Sequence, residues 1–368
     1  LASCASPVVG CLLVQYWHWR GLFVIVGAAA AVLAVLTTLY VPNQKIPKGG
    51  KFDWFSFLAV GMGCVCMLMV LIYGETDGWT APGVLAWMYG GFCSFALAFI
   101  SCMTHRTPLL DVRVLGNWRF LCGLLASLCN IFCICWVRVG TVQFMRNVMN
   151  YEPVGIAYVF MVLVAGFCGG AALVLPLMQK GRLALRVGMM AGLLALGASA
   201  FFLSRLDAGC SWLDVAWPLG LFGIGYAFCL NTATPLALRG VEGRSAAASS
   251  RTLNTVRYIF ISLYVSSVST VLAHMKTGFR FSMAEQVRDD SPGTAHTLDM
   301  WQRHFAETGG TAREIHASVD AVLQKAVALQ SQVFSVDTFY LCTVIVGAAG
   351  VLFALFCLKS GQERKAAS

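Results

Sequence analysis

Acidic side chains are scarce in this sequence: Asp and Glu number 17 in 368 residues, and all charged residues together make up 12%. A water-soluble domain carries about 25% charged residues, so a chain surrounded by water is excluded. Strict polar–apolar alternation is also missing from the long apolar runs, which excludes the strands of a membrane barrel. A basic start is absent. Residues Leu1 to Val14 are apolar with no initiator Met, so they do not form a signal peptide and read as the tail of a helix whose beginning is not included. No nucleophile elbow, phosphate-cradling glycine loop or paired intramembrane carboxylates occur, so no enzyme and no cofactor are expected.

What the chain has is apolar bulk: 58% hydrophobic residues, 24 phenylalanines, 36 glycines and a mean hydropathy of +0.73. Backbone in hydrocarbon must satisfy its own hydrogen bonds, so these runs predict an all-α, polytopic transmembrane helix bundle. The formal charge of +9 does not point to nucleic acid, because Lys and Arg sit in short loops between apolar runs. Most of the 15 cysteines lie within those runs and act as small hydrophobes. Cys129, Cys133 and Cys135 have no companion Cys or His cluster at ligand spacing, so no metal site is expected. The histidines fall in loops or at helix ends, which gives no support to a buried histidine relay.

Spans of about 20 residues, enough to cross roughly 30 Å of hydrocarbon, are predicted at 21–41, 54–73, 84–103, 121–144, 154–178, 187–203, 217–238, 253–273 and 339–358. With the incomplete first helix the total is about ten. The loops that hold Lys45 to Lys51, Arg106 to Arg119, Lys180 to Arg186 and Arg239 to Arg251 share one face with the C-terminal tail. By the positive-inside rule that face is cytoplasmic. The long polar segment 275–332 falls outside. Within it, Thr311 and Glu314 fit a capping box, followed by apolar residues at helical spacing, so an amphipathic helix resting on the membrane or bundle is expected.

Intramembrane polar groups are the candidates for function, because hydrocarbon penalises them unless they face a cavity or a partner. Stepping 100° per residue puts Ser127, Asn130, Arg138 and Thr141 within an arc of about 80°. This stripe would line a substrate path, with Arg138 holding an anion, unless Arg138 snorkels to the headgroups. Arg257, about two turns from the cytoplasmic start of its span, reads as a snorkelling or loop-paired side chain, with gating as the other reading. Asn231 and Asn254 read as interhelical glue ahead of substrate ligands. The pairs Gly166 with Gly170 and Gly188 with Gly192 predict close helix packing.

Several segments in order carry a resemblance. Ser6-Pro7-Val8-Val9-Gly10 followed by Trp17-His18-Trp19-Arg20-Gly21-Leu22-Phe23 resembles an antiporter motif, of which Pro7 and Gly10 are the remnant. Phe52-Asp53, Pro108-Leu109-Leu110-Asp111-Val112-Arg113 and Gln143 with Tyr151-Glu152-Pro153 are similar to three further motifs, as are Ser250, Asn254 and Arg257, and the stretch Gln332 to Phe339. Together these resemble the fourteen-helix drug:proton antiporter branch of the major facilitator superfamily, beginning inside its fifth helix. The resemblance implies residues 1–42 as the remnant of an N-terminal bundle, 43–105 as linker and two extra helices, and 106–368 as a C-terminal six-helix bundle with an outer loop at 275–332. It implies proton-coupled efflux of amphipathic drugs across the inner membrane, with Gln143 added to the site candidates. The expected partners are the lipid bilayer, a small organic substrate, protons and a periplasmic adaptor protein. It also places the usual coupling carboxylate on helices not included here, which leaves a non-transporting scaffold or sensor as the alternative.

Overall fold

Hydrogen bonds closed within helices are the solution the chain adopts. The computed structural model describes residues 2–40, 53–105, 110–179, 182–238, 246–286, 300–301, 303 and 312–366, and no strand occurs among them. The helices are α1 (Ala2–Tyr16), α2 (Trp19–Tyr40), α3 (Trp54–Asp77), α4 (Pro82–Thr104), α5 (Val112–Leu115) and α6 (Trp118–Asn147), then α7 (Pro153–Gln179), α8 (Arg182–Leu203), α9 (Trp212–Leu238), α10 (Ala246–Gln286) and α11 (Ala312–Ala366). Among the described residues, nine helices are long and apolar enough to cross a membrane, and α1 is a shorter apolar helix. The basic loop segments 41–52, 106–109, 180–181 and 239–245, and Thr311 of the expected capping box, lie outside the described residues.

Helix starts follow local chemistry. Asp53 accepts a hydrogen bond from the Ser56 amide at 3.0 Å and so caps α3. Pro82 opens α4, where its missing N–H costs nothing. Pro218 sits inside α9, and its carbonyl takes a 2.7 Å bond from the buried Ser199 hydroxyl of α8.

Small residues set the tightest packing, as the glycine spacing predicts. A Cβ on Gly166 of α7 would stand 2.2 Å from the Gly220 carbonyl oxygen of α9. One on Gly192 of α8 would stand 2.6 Å from the Cys229 sulfur. Helix α9 is thereby clasped between α7 and α8, and its buried Leu219, Phe222 and Cys229 sit at the centre of the core. Helices α3 and α4 pair with each other and join the bundle through Thr270 of α10, whose hydroxyl donates to the Leu71 carbonyl at 3.0 Å. Helix α1 lies against α7. Most side chains of α2 are exposed, Phe23, Val24 and Leu33 among them, which suits a lipid-facing span.

Within the segment expected on the outer side, residues 275–286 and 312–332 are helical. Helix α10 runs on to Gln286, and α11 begins at Ala312 and passes into the last span without a break. The amphipathic stretch is therefore the first half of a 55-residue helix and not a separate helix resting on the bundle. The apolar parts of α10 and α11 reach 36 and 35 residues, well beyond the roughly 20 that a bilayer needs. The two extensions meet side by side: Phe279 and Phe334 lie 6.1 Å apart, and Val319 and Val333 are buried.

Candidate functional site

A cavity of about 560 Å³ opens between α6, α9 and α10, with Pro7 of α1 on its rim. Its wall is mainly apolar, with Ile131, Ile134, Leu230 and Ile261 prominent, and it is punctuated by Ser127, Asn130, Arg138, Asn254 and Arg257. A largely apolar pocket with a few convergent polar groups is the usual form of a small-molecule site.

Arg257 organises the inner part. Its Nε donates to Ser127 Oγ at 2.6 Å and its Nη1 to Thr234 Oγ1 at 2.8 Å, so one guanidinium on α10 ties α6 to α9. The snorkelling reading is corrected here: the side chain turns inward because two hydroxyls on neighbouring helices offer acceptors, and it is only partly exposed. Arg138 also departs from snorkelling. Its Nη2 donates to Ser6 Oγ at 2.8 Å, so α6 reaches across to α1.

The polar stripe of α6 is split. Ser127, Asn130 and Arg138 face the cavity, whereas Thr141 is fully buried and bonds the Tyr340 hydroxyl at 2.8 Å and the Val137 carbonyl at 2.7 Å. Arg138, Val139 and Val142 still reach the cavity beside it, so at Thr141 one side of α6 meets the last helix, α11, while the other stays on open space. Trp136 stacking on Phe339 at 4.1 Å marks the same closure. Gln143 lines a second, smaller cavity of about 290 Å³ with Asn147, Lys276 and Gln332. Gly10 is not among the residues that line either cavity. Asn254 lines the main cavity, while Asn231 donates to the Ala227 carbonyl of its own helix at 2.7 Å and, among the described residues, makes no hydrogen bond to another helix.

Sequence reasoning missed the acceptor role of Thr234 and the cavity residues Tyr226 and Tyr258, since nothing local distinguishes them from core. It also passed over Asp337, whose Oδ1 is sealed from solvent with no hydrogen-bond partner among the described residues. The signal was there: a single carboxylate well inside the long apolar segment Ala321–Leu355.

Comparison of the sequence with family models gives no match. Curated relatives do match. The multidrug resistance protein Stp of Mycobacterium tuberculosis is 26% identical over 276 residues, covering 74% of this chain and 50% of that protein. The putative multidrug resistance protein MdtD of Cronobacter sakazakii is 25% identical over 297 residues, covering 80% and 60%. The probable actinorhodin transporter of Streptomyces coelicolor is 23% identical over 321 residues, covering 81% and 52%. This chain thus spans about half the length of the curated relatives it matches. Among solved structures, a bacterial homologue of the human lysosomal transporter Spinster, inward-facing and unoccupied, aligns with a TM-score of 0.46 at 14% identity, covering 82% of this chain and 69% of the other.

Proposed function

We propose that this chain, a relative of the multidrug transporters of the major facilitator superfamily, belongs to a proton-coupled permease that exports amphipathic organic compounds. The observation that carries the proposal is the cavity of about 560 Å³ between α6, α9 and α10, apolar in the main and polar at a few fixed points. Such a cavity between transmembrane helices is where a rocking-bundle transporter binds its cargo. The names of the relatives favour transport over the scaffold or sensor alternative.

On this reading Ser127, Asn130, Arg138, Asn254 and Arg257 contact or position substrate. Thr141 and Gln143 support the bundle, and Pro7 and Gly10 shape the rim helix. Residues 1–42, 43–105 and 106–368 act as the end of one bundle, a linker pair and a second bundle. The protein sits in the inner membrane with basic loops and C-terminus in the cytoplasm. The paired extensions of α10 and α11 then stand outside, where a periplasmic adaptor protein would dock.

The test is proton flux. Inside-out vesicles that carry the full-length protein and hold an acid interior are expected to lose part of their pH gradient when a transported compound is added. A correctly inserted protein that exports nothing from a broad panel, and dissipates no gradient, would overturn the reading.

A further inference from the structure

The chemical class of the cargo is inscribed in the cavity wall, and reading it there rests on the transport reading. Among the described residues that line the cavity, Arg138 and Arg257 carry charge and none is Asp or Glu. The bonds of Arg257 to Ser127 and Thr234 go to neutral hydroxyls, which fix the guanidinium without cancelling its charge. A guanidinium has five N–H donors, so with Nε and Nη1 engaged it can still take an anionic head group.

A second observation points the same way. Asn130, one turn along α6 from Ser127, lines the cavity with 3% of its surface exposed. Its Oδ1 is sealed from solvent and accepts no hydrogen bond among the described residues. A buried acceptor left without a donor is costly, and a turn of the Asn130 amide about its last torsion would bring it to the cavity face, where a ligand O–H or N–H relieves it. Between these polar points Ile131, Ile134 and Ile261 offer an apolar wall.

We propose that the cavity binds amphipathic organic acids that carry a hydroxyl or N–H donor: the anionic head on Arg257, the donor on Asn130 and the apolar body against the isoleucines. Arg138, bonded to Ser6, lines the same wall about 16 Å further along α6 than Ser127 at 1.5 Å per residue.

The full chain in lipid nanodiscs is titrated with 6-hydroxy-2-naphthoate, its carboxamide, its 6-methoxy analogue and the ammonium analogue 6-hydroxy-2-naphthylmethylamine, with binding read by fluorescence anisotropy. The hydroxy acid is expected to bind about tenfold or more tightly than its amide, and several-fold more tightly than the methoxy acid. Asn254→Asp places a carboxylate one turn from Arg257 on the same helix face and is expected to bring the acid-to-amide ratio close to one. Arg257→Lys keeps the charge and should retain a preference for the acid. Equal binding of acid and amide, tighter binding of the ammonium, or a ratio unmoved by Asn254→Asp would overturn the proposal. The titration needs no proton gradient. Acid selectivity without export in vesicles would therefore sink the transport reading alone, and export without acid preference would sink this one alone.

Discussion

Arg257 and Ser127 meet at 2.6 Å across the α10–α6 interface, 130 positions apart in sequence. That contact, with the 2.8 Å bond to Thr234, makes one side chain both a wall of the cavity and a tie among three helices. Charged hydrogen bonds contribute about 1.5–3 kcal/mol each. Truncation of Arg257 to Ala is expected to cut export about tenfold or more. The Ser127→Ala and Thr234→Ala effects should be non-additive with it, because all three belong to one network. Export kinetics in a double-mutant cycle check this, and additive losses would show that the guanidinium acts without those hydroxyls.

The Thr141–Tyr340 bond gives a prediction of the opposite kind, since it lies in the core and off the cavity. Thr141→Val leaves the Tyr340 hydroxyl without that partner and should cost about 1–3 kcal/mol. Adding Tyr340→Phe removes both polar partners, so the double variant should recover most of the loss. Melting of the detergent-solubilised protein reads both effects, and export by the stable double variant should stay close to that of the parent.

How much of this was legible in the sequence depends on the range of the force concerned. Spans were legible because a bilayer selects them by length and hydropathy alone, and α2, α3, α4 and α7 match their expected bounds closely. The glycine pairs were legible because close approach needs small residues at a fixed spacing. The continuation of α10 and α11 was not. Residues 275–286 and 312–332 lack a continuous apolar run, yet Ala, Met, Leu, Gln, Glu and Lys are strong helix formers, and propensity with pairing such as Phe279 on Phe334 carries the helices on. The inward turn of Arg257 was hidden for another reason. Its acceptors come from helices brought near only by the crossing of α6, α9 and α10, which no local pattern encodes.

Asp337 offers a stability test. One carboxylate oxygen is sealed without a hydrogen-bond partner among the described residues, and buried charge is unfavourable when it is incompletely paired. Asp337→Asn keeps the shape and removes the charge, so the melting midpoint should rise, by about 2–4 °C for each kcal/mol regained. Asp207 repels the carboxylate and the Arg205 guanidinium attracts it, so a fall would show that this attraction outweighs burial and repulsion together.

Gly166 and Gly169 stand three residues apart on α7 and predict opposite outcomes for the same substitution. A methyl on Gly166 would meet backbone, the Gly220 carbonyl oxygen at 2.2 Å and its carbon at 3.0 Å, and backbone cannot rotate away as a side chain can. Helices α7 and α9 would have to separate along an interface that also holds Gly223, where an added Cβ would face the Leu163 carbonyl at 2.3 Å. Gly166→Ala is therefore expected to abolish folded protein in detergent. At Gly169 an added Cβ meets nothing within 4 Å, so the gain is the helix propensity of Ala over Gly, about 1 kcal/mol at most in a helix interior. Gly169→Ala should leave yield and melting unchanged or slightly raised. Size-exclusion profiles of the two variants decide the matter: equal tolerance would mean that α7 and α9 are not held at glycine contact, and the clasp around α9 on which the cavity wall rests would have to be looser.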